Sequence, residues 1–464
     1  MKGAVVKGPR VVLIGAGSVF FSRQTVWSMV TKDALNHGTL ALVDVDKVKL
    51  GWMERVARRA IAARGVPLKL EVSTDRRKVL KGADFVILAF AREGVRLRGL
   101  DAEISTKHGM TMCSADTIGP GGIMRTVREV PQQNAILRDV ERLCPDAWVI
   151  NWVNPTAAMG IAMMRHFPHL KSLAICDGPH NPHFDNNLIV NAGLARSADK
   201  ITDELRSRVR IRSGGINHFN WLIEMSCDGM DLTGKALDSV RRAARAKLPA
   251  KPGWGQRQHA QCSRIALQLA EAVGYVPMCI GHTREYLPYF QGHDVDSKHA
   301  LMIGKWPIEE RWKMMKMCWD DMKDLASGKR PMADFLAKMT PDHASDIMES
   351  MWAGIQKKFY INVRNGGAVP NMTDDAYLEL PCVVDLNGVY PLPFGEMPRP
   401  LTGYLQRVLD EHELAVEAAV TCSRSTLRQA FLASMVSVSI PDVDSCMNEM
   451  LAKERPYLPA GWYR

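Results

Sequence analysis

The chain has 464 residues, with 60 Lys or Arg against 50 Asp or Glu, a formal charge of +10. With 46% hydrophobic and 24% charged residues it is not a largely disordered chain, and its length suits two or three domains with a sizeable core. The cysteines, Cys 10, are too sparse for a disulfide framework. The early apolar run Val11–Ile14 is far too short to span a bilayer, and Met1–Arg10 has no signal-peptide core, so a cytoplasmic protein with reduced thiols is expected. Basic residues are scattered, as at Arg55, Arg58 and Arg59 or at Arg241, Arg242, Arg245 and Lys247, and no aromatics are interleaved with them. That pattern argues against nucleic acid or a membrane as partner and for a solvated surface, or attraction of a small anionic substrate.

In chain order, short β-branched runs alternate with amphipathic stretches. Strands are expected at Arg10–Gly15, Leu40–Val43, Leu70–Ser73, Phe85–Ala89, Trp148–Asn151 and Leu173–Cys176, with helices over Lys47–Ala63 and Thr126–Leu143. Alternation of this kind with uniformly apolar strands predicts a Rossmann-like, doubly wound parallel sheet. The rhythm changes near residue 195. A strand-like Val209–Gly214 runs into Gly215-Ile216-Asn217-His218, followed by helical stretches around Cys262–Val273, Ile308–Leu325 and Leu405–Ala419. Asn365–Pro393 reads as a turn-rich extended region, and Pro249–Gly255 as a mobile loop. The fold class expected is therefore α/β: a dinucleotide-binding domain over 1–195 and an α+β domain with a helical finish over 196–464.

Gly15-Ala16-Gly17-Ser18 lies between the first strand and a helix. Gly15 permits the tight turn, and Gly17 lets the backbone approach a pyrophosphate at the helix N-terminus. Phe20 stands where a third glycine is common, but Asp44 ends the second strand, where a carboxylate can bind ribose hydroxyls and disfavour a 2′-phosphate. NAD is thus expected on Gly15, Gly17, Ser18 and Asp44.

Further polar motifs fall at expected strand ends: Asp116-Thr117-Ile118-Gly119-Pro120-Gly121-Gly122, Asn151-Trp152-Val153-Asn154-Pro155, Cys176-Asp177-Gly178-Pro179 and Gly215-Ile216-Asn217-His218. Cysteine and histidine there could share a metal, zinc or iron by ligand softness. Taken singly, a cysteine such as Cys176 is more often a small buried hydrophobe, and a histidine such as His218 more often a satisfied core or loop histidine. His180 and His183 are separated by Pro182, which breaks a common helical face, so they are left out of the metal site.

In combination the glycine turn, Asp44, Gly82-Ala83-Asp84-Phe85, the Gly-Pro-Gly-Gly segment, Asn154-Pro155, Cys176-Asp177-Gly178-Pro179, Gly215-Ile216-Asn217-His218 and Asn371 through Cys382 resemble glycoside hydrolase family 4 over nearly the whole chain. The resemblance implies a dehydrogenase-like (lactate/malate type) architecture and a glycosidase that needs NAD and a divalent metal, usually Mn²⁺. It implies C3 oxidation, C2 deprotonation, elimination of the leaving group, water addition and re-reduction. By motif, Cys176 and His218 match the metal ligands, Asn154 the asparagine beside metal and sugar, and Asp177 the general acid. Tyr286 is the best match to a tyrosine base, with Tyr289 or His282 as alternatives. Arg98 and Arg284 match substrate-facing positions, with Arg92 and Arg96 nearby. The cysteine signature points to an α-linked glycoside, neutral or anionic, and the family to a homodimer or homotetramer. Rival readings are an NAD-dependent 2-hydroxyacid dehydrogenase, which needs no thiolate, and an idle NAD-binding sensor.

Overall fold

A computed structural model describes residues 7–176, 178–291 and 302–464. The front of the chain supplies six parallel strands: β1 Arg10–Ile14, β2 Thr39–Val43, β3 Lys69–Ser73, β4 Phe85–Leu88, β5 Trp148–Asn151 and β6 Ser172–Ala174. Their order, β3-β2-β1-β4-β5-β6, is that of a Rossmann sheet, and the direction of winding reverses between β1 and β4. Val12, Leu42, Val86 and Val149 are all fully buried because helices cover both faces. That two-sided burial is why these strands read as apolar runs and not as alternating patterns.

The crossovers are α1 Val19–Thr31, α2 Lys47–Arg64, α3 Gly94–Lys107, α4 Gly119–Leu143 and α5 Thr156–His166. Asp46 caps α2 by accepting from the N–H groups of Val48 and Lys49, and Gly65 stops it with a φ of 66°. Helix α4 begins seven residues earlier than the expected Thr126, on the Gly-Pro-Gly-Gly segment itself. Three glycines in a first turn weaken a helix locally, and two of them are packed too closely to be replaced. Here they are needed: a Cβ on Gly121 would sit 2.8 Å from the Ala115 carbonyl oxygen, and one on Gly122 2.6 Å from the Thr117 carbonyl carbon. Close packing of the helix on the preceding loop outweighs propensity.

The remaining strands are antiparallel to their neighbours. They are β7 Val209–Ile216, β8 Phe219–Cys227, β9 Met230–Asp231, β10 Val276–Pro277, β11 Lys358–Arg364, β12 Tyr377–Val384 and β13 Val389–Pro391. They continue the same sheet in the order β6-β11-β12-β7-β8-β10, so it runs unbroken past residue 195. Two joins are thin. Strand β11 meets β6 at Asn362 and Ala174, and β12 meets β7 at Glu379 and Gly215. Buried polar side chains reinforce this seam: Glu379 accepts from Asn362 Nδ2 at 3.2 Å and from Asn220 Nδ2 at 3.1 Å. The extended region at 365–393 contains β12 and β13. Strand β11 has no counterpart among the expected elements, and the expected loop at 249–255 ends in the first turn of the helix Trp254–Val273.

The C-terminal helix Arg399–Thr421 returns to pack on α4 and α5. Its fully buried Glu411 accepts the Gly119 N–H at 2.7 Å, just where α4 starts. Among the described residues no helix is long and apolar enough to cross a membrane. Burial pushes the Glu411 carboxyl up to about 8, although the Gly119 N–H works the other way. The unfolded chain ionises this group near its ordinary value while the folded chain holds the proton, so folding loses stability as pH rises from about 4.5 to 8. Glu411→Gln keeps the hydrogen bond and removes that loss. The variant's thermal midpoint should gain on the parent's between pH 5 and pH 8, by a margin on the order of 2 kcal/mol in stability.

Candidate active site

The glycine turn packs closely against the end of β4 and against Asp44. Gly15 has a φ of 99°, and a Cβ there would lie 2.6 Å from the Ala89 carbonyl that follows β4. A Cβ on Gly17 would lie 2.8 Å from Asp44 Oδ2, which accepts the Gly17 N–H at 2.6 Å. Ser18 precedes α1 without a side-chain cap, and the first turn of α1 carries no acid, which leaves its positive end for an anion. A cleft of about 510 Å³ opens here, lined by Gly15, Asp44, Thr74, Phe90 and Arg92. It sits at the sheet's switch point; Gly15 and Asp44 line it, and Gly17 and Ser18 lie on the same turn, Gly17 N–H on Asp44 and Ser18 N–H on the Gly15 carbonyl.

The second cluster forms at the same sheet edge, just past the thin seam. Asn154 follows β5, and Cys176 lies two residues beyond Ala174 of β6. His218 occupies the two-residue turn between β7 and β8, with Ile216 opposite Phe219 and a left-handed φ of 61°. Its Nε2 is 3.1 Å from Cys176 Sγ, so residues 42 apart in sequence meet as a thiol–imidazole pair. The other ring nitrogen, Nδ1, is 3.1 Å from Cys279 Sγ. The His282 ring stacks on His218 with centroids 3.9 Å apart.

A buried charge network supports the pair. Asp116 accepts from Arg98 Nη1 at 2.8 Å, from Arg125 Nη1 at 3.2 Å and from Asn154 Nδ2 at 3.3 Å. Burial alone would raise the Asp116 carboxyl, but Arg98 and then Arg125 outweigh it and hold the group well below the carboxylate range. Asn154 Oδ1 in turn accepts from Thr156 Oγ1 at 2.7 Å, which fixes the amide's orientation. Glu285 accepts the Ser114 N–H at 2.7 Å and the Thr117 hydroxyl at 3.2 Å, and its Oε1 lies 3.6 Å from His282 Nδ1. Burial opposes ionisation of Glu285, yet the His282 and Ser114 contacts leave its carboxyl lowered. One ligand atom each from Asp116, His282 and Glu285 lie within 4.8 Å of one another, but the arginines and backbone amides already engage both carboxylates.

Comparison with known proteins gives the family. The model described as "Family 4 glycosyl hydrolase" matches residues 10–183, and the one described as "Family 4 glycosyl hydrolase C-terminal domain" matches 213–436. This chain belongs to family 4 of the glycosyl hydrolases. Among curated relatives, the alpha-galactosidase of Bacillus subtilis strain 168 is 27% identical, over 97% of this chain and 99% of the relative. The alpha-galacturonidase of Thermoanaerobacter italicus is 24% identical over 99% of each. Among solved structures, a 6-phospho-alpha-glucosidase from gut microorganisms in complex with NAD and Mn²⁺ has a TM-score of 0.81 at 21% identity, covering 98% of this chain and 99% of that one. The 6-phospho-beta glucosidase of Thermotoga maritima, solved with NAD and glucose-6-phosphate, has a TM-score of 0.75 at 20% identity, covering 97% and 99%.

In this family 4 glycosyl hydrolase the remaining expected residues are placed as follows. Asp177 lies outside the described residues. Tyr286 is buried behind the pair: its hydroxyl donates to the Asn217 carbonyl at 2.8 Å and its ring stacks on Phe219. Burial pushes that phenol well above its ordinary value, so the group is suited to hold the His218 turn and poorly suited to take a proton. Tyr289 is exposed and shares a hydrogen bond with Tyr404 at 2.7 Å. Arg98 lies over the Trp306 ring at 4.4 Å and is tied to Asp116 and Ser114. Arg284 donates to Gln261 at 3.1 Å, Gln258 at 3.2 Å and the Gly281 carbonyl at 3.0 Å. Arg92 lines the dinucleotide cleft, whereas Arg96 is exposed and paired with Glu93. His180 bonds Asp346 at 2.7 Å, outside the thiol–imidazole pair.

Sequence reading did not single out Cys279, Glu285 or Glu379. Cys279 meets His218 across 61 residues, Glu285 meets Ser114 across 171, and Glu379 meets Asn220 across 159, so the contacts are not visible in the local sequence. Loss of a catalytic base costs about 10²–10⁴-fold in turnover. Tyr286→Phe is expected instead to keep turnover within about tenfold of the parent. The variant should melt earlier, since a buried hydrogen bond contributes about 1 kcal/mol. Glycoside turnover and a thermal melt on one preparation decide between the roles.

Proposed function

We propose that this glycosyl hydrolase cleaves a small α-linked O-glycoside, with NAD held on the Gly15–Ser18 turn and a divalent cation, Mn²⁺ by family likeness, held by Cys176 and His218 beside Asn154. The observation that carries the reading is the 3.1 Å approach of Cys176 Sγ to His218 Nε2 at the strand-end crevice. A thiolate and an imidazole are a fitting donor set for a transition-series cation, and two protein ligands leave positions for sugar oxygens. The tight space at Gly15 and Gly17 likewise fits a pyrophosphate lying against the backbone. Bound together, these groups supply reversible oxidation at C3 of the sugar and Lewis-acid stabilisation of the charge that builds as the C2 proton leaves.

The chain's own residues do the rest. Glu285 beside Nδ1 favours the His282 tautomer with its proton on that nitrogen, which leaves Nε2 to accept the C2 proton next to His218. Asn154, held by Asp116 and Thr156, orients a sugar hydroxyl. Asp177, directly after Cys176, protonates the departing oxygen, as its place in the signature implies. Arg98 is neutralised by Asp116, whereas the hydrogen bonds of Arg284 among the described residues go to two amides and a carbonyl. That difference supports Arg284 as the contact for an anionic substituent on the sugar. The enzyme is proposed to work in the cytoplasm as a homodimer or homotetramer.

A panel of neutral, uronic and 6-phosphorylated nitrophenyl glycosides, assayed with and without NAD⁺, Mn²⁺ and a thiol, tests the reading. Hydrolysis should require all three additions and should vanish in Cys176→Ser. Activity that persists after complete removal of nucleotide and metal would refute it. Within the same panel His282→Gln should lose about 10²-fold or more in kcat.

A further inference from the structure

We infer that Cys279 is the positioning residue for the His218 imidazole: its sulfur accepts a hydrogen bond from Nδ1–H and thereby leaves Nε2 as the nitrogen offered to a cation. This rests on the cation site proposed above. The His218 ring has a sulfur at each nitrogen, Cys176 Sγ 3.1 Å from Nε2 and Cys279 Sγ 3.1 Å from Nδ1. A neutral imidazole carries one N–H, so the two nitrogens cannot both donate and cannot both accept from a proton they carry. The partner of the distal nitrogen therefore decides which nitrogen faces the metal.

Cys279 is well placed to decide it, because its position is fixed by the turn it begins. Its carbonyl accepts from the Thr283 N–H at 2.9 Å and from the His282 N–H at 3.1 Å. Thr283 Oγ1 lies 2.9 Å from that same carbonyl and 3.2 Å from the carbonyl of His218. One turn thus engages His218 at the ring nitrogen, at the ring face through His282 and at the main chain. His218 needs that support, since it sits in the left-handed region, where a residue with a Cβ is held by its surroundings. Sulfur in this place is a soft acceptor that sets the orientation and tautomer of the ring.

Binding of Mn²⁺ to the purified full-length protein, read as the fall in the free-ion paramagnetic resonance signal, tests the assignment without requiring turnover. Cys279→Ala should weaken Mn²⁺ binding about tenfold while Cys279→Ser stays within about threefold of the parent. Cys279→Ser should melt like the parent and Cys279→Ala slightly earlier, by no more than the roughly 1 kcal/mol of one hydrogen bond. Equal Mn²⁺ affinity in Cys279→Ala and the parent overturns the assignment but leaves the cation site standing. Complete loss of binding in both variants overturns it too, since Cys279 would then be a ligand itself. If the parent binds no Mn²⁺, the cation site fails and this inference fails with it. Should Cys279→Ala not fold, a crystal structure of the parent with Mn²⁺ decides. The ion on Nε2, with Nδ1 in hydrogen-bond reach of Cys279 Sγ, supports the role, and the ion on Nδ1 or on Cys279 overturns it.

Discussion

The meeting of Cys176 and His218 is the contact on which the site depends, and neither residue could reach it alone. Cys176 is delivered by the last parallel strand and His218 by a hairpin turn of the antiparallel part, so the contact exists only because β11 and β12 join the two parts into one sheet. Holding an imidazole in that turn costs local backbone freedom. The cost is offset by Cys279, Thr283 and His282 on one side and by Tyr286 at the Asn217 carbonyl on the other. The segment 279–286 is therefore a brace for His218, and the sequence run Tyr286-Leu287-Pro288-Tyr289-Phe290 draws attention to it for a different reason.

Charge is distributed around this contact with care for desolvation. Asp116 and Glu285 are both buried, and a buried carboxylate without partners is expensive. Asp116 is matched by two arginines, and Glu285 by backbone N–H groups, a hydroxyl and an imidazole. Arg98 is thereby a structural partner before it is anything else. Burial pulls its guanidinium down to about 10, still far above neutrality, so it remains a cation that stabilises Asp116.

Much of this was legible in the sequence wherever a local pattern had a local cause. Strands buried on both faces must be apolar, and β1 to β6 stand within a residue of their expected starts for that reason. The glycine turn and Asp44 were legible because the turn belongs to a strand–turn–helix unit. The start of α4 was not, because Gly121 and Gly122 count against a helix until the loop they must clear is known. Strand β11 was not, because Asn362 is polar yet buried, and its partner Glu379 lies on the next strand. Cys279 and Glu285 were not, since their partners lie 61 and 171 residues away. Tyr286 shows the reverse case, a residue whose neighbourhood suggested chemistry and whose hydroxyl is spent on a carbonyl.

The seam at Asn362, Glu379 and Gly215 has a further consequence. Where a sheet is stitched by side-chain amides around one buried carboxyl, separation of its two parts breaks fewer backbone pairings than melting either part. The helix Arg399–Thr421, which packs on α4 and α5 and accepts the Gly119 N–H through Glu411, ties the two parts together a second time, so a shift at the seam is shared by the loops that carry Cys176 and His218.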